Sequence, residues 1–402
     1  MRWTTVLFIM LGCHATSTLL LRLVPTIAPD MVTQYGWSPS FVGWLATAAN
    51  LGSIVVVAGG VGLLRLLGSI KAVRWGLAAG GIGTLVLLLP IPALALVGSF
   101  IAGMGHGPTN PAGNDVLQRY VPRGKQALIF SVKQSSVPVA GVVGGLVLPG
   151  IAQLWGVEAV MVFGALVAVL TIVATGPVRR REPKPEPGAK LSDAMSRENL
   201  TAPVRLALSS PRMRSLALSG FLLAFVQSVW FVYLTSFLAF GLGYSATAAG
   251  VLYALMQGMS IIGRLTLGWG ADRLGTALPL ICLSLVMSTV STLALAGTVL
   301  TGPGWPVVAV CLIGGVAAAG WNGIQVAETV RLAPRDRMYE AVSGITLAIG
   351  SGVVTGPMIV SALLGAGVDW GPILAAVALL PLVGVSATLR QARRVGRLED
   401  AG

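Results

Sequence analysis

At 402 residues, with 55% hydrophobic and only 10% charged side chains and a mean hydropathy of +0.83, the chain has too few charges to cover a water-soluble domain of its size. It reads as an all-α membrane protein whose first partner is the lipid bilayer. The formal charge of +13 falls in alternate loops between apolar runs, the placement of a membrane protein, so no nucleic-acid partner is expected.

Taken in order, the apolar runs predict twelve transmembrane helices, near 4–28, 40–64, 71–89, 93–117, 126–149, 157–177, 213–240, 246–268, 277–298, 306–331, 340–364 and 371–390. Each holds the roughly 20 residues that cross hydrocarbon at about 1.5 Å apiece. The opening MRWTTVLFIM lacks a small-residue cleavage site and continues into further apolar sequence, so it belongs to the first span rather than to a signal peptide. Basic residues fall at Arg2, at Arg65, Lys71 and Arg74, at Arg119, Arg123 and Lys125, between Arg179 and Arg214, at Arg273, at Arg331, Arg335 and Arg337, and between Arg390 and Arg397. The intervening loops have none. That alternation follows the positive-inside rule and predicts a multi-pass protein of the cell membrane with both termini in the cytoplasm. The stretch 178–212, rich in charge and proline, is too polar to insert and divides the chain into six-helix halves at 1–177 and 213–402.

The halves repeat. A shift of 212 positions carries Asn110 onto Asn322, Pro122 onto Pro334, Arg123 onto Arg335, Ser131 onto Ser343 and Gly144 onto Gly356. Lys133 falls on Ile345 instead. A shift of 207 positions carries Gly36, Asn50 and Gly68 onto Gly243, Gln257 and Gly275.

The segment GRLTLGWGADRLG, from Gly263 to Gly275, resembles the loop signature Gly-x-x-x-Asp-Arg-x-Gly of the major facilitator superfamily, met by Gly268, Asp272, Arg273 and Gly275. In the first half Val61, Arg65 and Leu66 replace the glycine, aspartate and arginine, and only Gly68 survives. The resemblance implies two pseudo-symmetric six-helix halves that rock about a midplane cavity lined by the first, fourth, seventh and tenth helices. It implies that Asp272 and Arg273 serve a cytoplasmic gate together with Gly268 and Gly275. Asp115 and Glu328, at the inner ends of the fourth and tenth spans, are expected to pair with nearby arginines.

All but three of the 27 Lys and Arg lie in or beside the basic loops. The exceptions, Arg22, Lys133 and Arg264, sit inside apolar runs, where burial costs about 2.5–3.5 kcal/mol unless water or an anion is at hand. All fourteen Asp and Glu lie in loops or at span ends, so none is placed to supply that anion. The expected counter-ion is the substrate. Helical spacing adds polar neighbours: His14 and Thr18 with Arg22; His106, Asn110 and Asn114; Tyr253, Gln257 and Ser260 with Arg264. Gln227, Trp230 and Tyr233 on the seventh span, and Trp321, Asn322 and Gln325 on the tenth, are the candidate opposite wall. Packing is the simpler role for each aromatic and histidine, although either histidine can carry a proton. Arginine's planar fork suits a carboxylate and lysine acts as a point charge, so a small organic anion is the expected cargo, by proton symport or by anion exchange.

Proton-coupled drug efflux is the competing reading, but its fourth-span arginine is Ser99 and its fifth-span glycine motif lacks proline between Ala140 and Gly145. An enzyme would need a nucleophile and base or a metal set. Two histidines on different spans and Cys13, Cys282 and Cys311 in apolar runs supply neither, so no metal or cofactor is expected. No phosphate-binding Gly-x-x-x-x-Gly-Lys loop is present, which leaves secondary transport by a monomer as the expectation.

Overall fold

The computed structural model describes residues 2–58, 64, 66–122, 129, 132–182, 197–334 and 337–399. Val61, Arg65, Arg123, Lys125, Ser131, Arg335 and the middle of the linker, 183–196, lie outside the described residues. The chain forms two compact units, Met1–Arg197 with Ala246–Ala254, and Glu198–Ser245 with Leu255–Gly402. The division falls within the expected linker, but the first turns of the eighth predicted span cluster with the first unit rather than the second.

The first unit contains α1 (Trp3–Thr26), α2 (Ala28–Tyr35), α3 (Pro39–Ala58), α4 (Ser69–Val86), α5 (Pro92–His106), α6 (Thr109–Tyr120), α7 (Ser136–Trp155), α8 (Val157–Ala174) and the short α9 (Gly176–Arg179). The helix α1 is its hub, packing against α3 to α8. One half of α1 buries Leu19, Leu23 and Val24, with Ile27 just past its end, against Val42 and Leu45 of α3, Leu148 of α7 and Val160 of α8. The other half buries Val6, Met10 and Cys13 against Val73 and Leu77 of α4 and Val116 of α6. Leu and Ile side chains of this size each gain about 1.5–3 kcal/mol when taken out of water, although between helices already in lipid the gain is close packing instead.

The second unit contains α10 (Arg197–Ala207), α11 (Pro211–Ser236, with a π-helical end at Phe237–Gly241), α12 (Ala246–Leu274, its start in the first unit), α13 (Leu278–Thr301), α14 (Trp305–Ala319), α15 (Asn322–Leu332), α16 (Met338–Gly365) and α17 (Trp370–Glu399). Its core joins Leu216 and Leu223 of α11, Ile281 and Leu285 of α13, Ile324 of α15 and Ile345 of α16.

The first, third, fourth and tenth predicted spans differ from expectation in length or continuity. Among the described residues ten helices are long and apolar enough to cross a membrane. The third predicted span, α4, misses that threshold because Lys71 and Arg74 fall within its first two turns. The fourth, expected as one helix over 93–117, is α5 of 15 residues and α6 of 12, parted at Gly107–Pro108. Proline lacks the N–H that would continue the ladder, while Gly107 (φ −49°, ψ −51°) and Pro108 (φ −76°, ψ −19°) themselves keep right-handed helical angles. The tenth span parts at Gly320–Trp321, 212 positions after Pro108, where the Trp321 indole Nε1 donates to the Ala318 carbonyl at 3.1 Å. The first predicted span also ends early, at Thr26, with Pro29 opening α2.

Close packing repeats too. A Cβ on Gly103 of α5 would overlap the carbonyl oxygen of Ala49 on α3, and one on Gly315 of α14 would overlap that of Met256 on α12. These are the same positions under the two shifts. Gly68 and Gly275, also shift-related, turn the chain into α4 and α13 with φ of +80° and +66°, which a side chain would strain.

Candidate functional site

In the first unit the break at Gly107–Pro108 exposes the first turn of α6 to Lys133. Asn110 and Asn114, one turn apart on α6, present both side-chain amides on one face. Lys133, on the helical segment Val132–Trp155, is fully buried. Its Nζ donates to the Asn110 carbonyl at 2.7 Å, to Asn110 Oδ1 at 2.9 Å and to Asn114 Oδ1 at 2.8 Å. An ammonium has three protons, and each is directed at a neutral oxygen. Gly113 leaves room for it, since a Cβ there would stand 3.0 Å from Lys133 Cε.

His106 closes α5 just before the break, so the expected stripe of His106, Asn110 and Asn114 is not continuous. The two asparagines face Lys133, whereas His106 faces α1: its ring stacks on His14 with centroids 5.8 Å apart, and its Nδ1 lies 3.3 Å from Ser17 Oγ. Thr18 is turned to its own helix, donating to the His14 carbonyl at 2.8 Å. Arg22, two turns further along α1, is hydrogen-bonded to Tyr253, within the Ala246–Ala254 stretch that clusters with the first unit.

In the second unit the first residue of α15 plays the corresponding part. Asn322 Oδ1 accepts from Arg264 Nη2 at 3.3 Å and from Gln227 Nε2 at 3.2 Å, while Asn322 Nδ2 donates back to Gln227 Oε1 at 3.4 Å. Asn110 and Asn322 are therefore repeat-related residues that each accept from a cation. The cations are not related: Lys133 falls on Ile345, and Arg264 falls on Val57 under the shift of 207.

The other candidates of the second unit are held in packing. Trp230 is buried, its Nε1 donating to Thr292 Oγ1 at 2.9 Å and its ring filling the space left by Gly314. Trp321 is buried at the break. Tyr233 donates to the Pro357 carbonyl at 2.9 Å. Gln325 is fully buried and donates to the Leu216 carbonyl at 2.6 Å, tying α15 to α11. Gln257 is fully buried on α12, and Ser260 donates to its carbonyl at 2.7 Å.

At the basic ends of the helices, carboxylates cap helix starts, where the macrodipole favours negative charge. Asp115 accepts from Ser69 and pairs with Arg119, and Glu182 accepts from the Ile70 N–H at 2.5 Å, both at the start of α4. Glu328 accepts from the Ala277 N–H at 2.9 Å, before α13, and pairs with Arg331. Asp272 and Arg273 are exposed, with the Arg273 guanidinium 4.1 Å from the Trp269 ring centroid, and a Cβ on Gly268 would meet open space. Ser17 was not among the candidate residues. Its spacing of three from His14, within the hydroxyl run Thr16, Ser17 and Thr18, is the signal that marks it.

Long apolar helices broken at polar, cation-bearing turns define a membrane transporter. The profile of the Major Facilitator Superfamily matches residues 7–338, and the chain is a secondary transporter belonging to that superfamily. It is 26% identical over 330 residues to an uncharacterized MFS-type transporter of Mycobacterium tuberculosis (strain CDC 1551 / Oshkosh), covering 81% of this chain and 71% of that protein. It is 25% identical over 289 residues to the "probable anion transporter 4, chloroplastic" of Oryza sativa subsp. japonica, covering 68% of this chain and 48% of that one. To the "sodium-dependent phosphate transport protein 1, chloroplastic" of Arabidopsis thaliana it is 26% identical, covering 61% and 50%. The chain thus spans about half the length of these plant relatives. Among solved structures, a POT family transporter in complex with 5-aminolevulinic acid shares the fold with a TM-score of 0.77 at 13% identity, covering 97% of this chain and 95% of that one. A bacterial homolog of the human lysosomal transporter Spinster does so with a TM-score of 0.73 at 16% identity, covering 96% of each.

Proposed function

We propose that the protein moves a small organic anion of the carboxylate type across the cell membrane by alternating access of twelve spans in two six-helix halves, both termini lying in the cytoplasm. The observation that carries this reading is Lys133, a fully buried ammonium whose three bonds all go to neutral oxygens. Its positive charge is hydrogen-bonded but not neutralised, and acids in this chain lie at helix ends or in loops. Among the described residues the ion pairs are Arg119–Asp115, Arg331–Glu328 and Arg337–Glu340, all in the basic-loop regions. An incoming carboxylate would supply the missing charge.

Lys133, with its three donors occupied, contributes field. Arg22 in the first unit and Arg264 in the second are each suited by themselves to contact, because a guanidinium has five N–H donors and a planar fork that matches a carboxylate. The similarity to plant proteins named as anion and phosphate transporters points the same way. Asp272 and Arg273 serve the cytoplasmic gate. A thermal-shift screen of the purified protein against acetate, succinate, benzoate, phosphate and choline tests the reading. Stabilisation by an anion that is lost in Arg22→Gln or Arg264→Gln supports it; stabilisation by choline alone, unchanged in both variants, refutes it and favours cation efflux.

A further inference from the structure

The α1–α5 contact contains a second arrangement that anion recognition does not use. Ser17 Oγ donates to the His14 carbonyl at 3.1 Å. Its only proton is spent there, so in its 3.3 Å contact with His106 it accepts, and His106 Nδ1 is the donor. The tautomer follows: His106 carries its proton on Nδ1 and a lone pair on Nε2. A proton taken from water binds at Nε2 and breaks no existing bond, because Nδ1–H continues to donate to Ser17. The stacked His14 ring, 5.8 Å away, is close enough that two imidazolium charges would repel, so the pair holds one proton.

The surroundings set the price of that proton. On α1, Arg22 lies about two turns beyond His14, and Lys133 is bonded to Asn110, four residues beyond His106. Cys13, also on α1, is buried in the apolar core. The helices α3 and α7 carry no titratable side chain. On α4, Lys71 and Arg74 lie at the basic-loop end, as do Asp115, Arg119 and Tyr120 on α6 and Arg179 on α9; Asp30 and Tyr35 on α2 and Glu158 on α8 lie beyond the other end of α1. No carboxylate on these elements stands between the histidines and the two cations. Protonating His106 therefore adds a third positive charge to a cluster without a fixed negative one. Resting on the anion reading above, we propose that His14 and His106 form the binding site for a coupling proton, and that proton and anion enter together because each removes the charge penalty of the other. Linkage makes the effect reciprocal: the anion raises the proton affinity of the pair by the factor by which the proton raises anion affinity, about 5- to 150-fold for ordinary couplings.

The chain has two histidines, so nitrogen-15 labelling of histidine rings in protein purified with a histidine-free tag reports on this pair alone. The expected spectrum without anion is a neutral Nδ1–H tautomer for His106, with a single protonation step for the pair as pH falls. Succinate, acetate, benzoate or phosphate should move that midpoint upward, while choline should not. Ser17→Ala, which leaves both rings in place, should release the tautomer preference, and Ser17→Thr should restore it. An Nε2–H tautomer in the wild type, or rings that stay neutral while an anion stabilises the protein, overturns the proton site and leaves the anion reading intact. A pair that titrates as described but whose midpoint no anion moves overturns the coupling; if no anion stabilises the protein in that same sample, the anion reading falls with it.

Discussion

Replacing Lys133 with methionine, which has a similar length and no charge, tests the buried ammonium directly. The substitution strands Asn110 Oδ1 and Asn114 Oδ1, which Lys133 now reaches at 2.9 and 2.8 Å. An unsatisfied buried acceptor costs about 1–3 kcal/mol. Against this, the desolvation cost of the ammonium, several kcal/mol, is recovered. Two stranded acceptors cost about 2–6 kcal/mol, the recovered desolvation offsets much of this, and the net loss is about 0–3 kcal/mol. The coupling is more diagnostic than the loss. Asn114→Leu should cost a comparable amount alone and much less in the Lys133→Met background, because the stranded oxygen is gone. Unfolding in mixed micelles of dodecyl maltoside and SDS, run as a double-mutant cycle, should give a coupling of about 1–3 kcal/mol. Additivity within about 0.5 kcal/mol would show that the lysine and the asparagines do not act as a unit, and would refute the reasoning.

Gly103→Ala and Gly315→Ala each push a methyl into a facing carbonyl at the same place in the repeat, and each should cost about 1–3 kcal/mol in the same unfolding assay. Losses near zero at either position would mean that the helices part freely there. Asn322→Leu should lower anion affinity about tenfold or more by releasing both Arg264 and Gln227, read by the thermal-shift titration; unchanged affinity would remove Asn322 from the site. Asp30, on α2 outside the spanning helices, has a buried Oδ2 without a hydrogen-bond partner among the described residues, and burial pushes its pKa up to about 6. The folded state therefore holds this proton more tightly than the unfolded chain, so stability should fall as pH rises from about 4 to about 6 and then level off. Asp30→Asn should flatten that part of the stability profile, and an unchanged profile would contradict the assignment.

The sequence makes some of this architecture legible and hides the rest for identifiable reasons. Apolar length locates the spans, and the two shifts anticipate paired features the structure shows, such as the left-handed glycines Gly68 and Gly275. The helix breaks are harder to read, because a window average over 93–117 stays apolar across Gly107–Pro108, and the second break lacks a proline altogether. That is why His106 looked continuous with Asn110 when it turns instead to Ser17 on α1. Lys133, Asn110 and Asn114 each stand out in the sequence, yet their union depends on how Val132–Trp155 meets α6, which spacing along one helix does not encode. Trp230 reads as a wall residue from its position, whereas Gly314 opposite it, from which a packing role follows, is one among 52 glycines.

Counterflow into proteoliposomes bears most directly on the central assignment. Vesicles loaded with unlabelled succinate, benzoate, phosphate or choline are diluted into the same compound carrying a radiolabel, for the wild type and for Arg22→Gln. Accumulation of a labelled anion, absent for choline and abolished in the variant, is the expected result. Accumulation of choline with none for any anion, or anion exchange undiminished in Arg22→Gln, would contradict it.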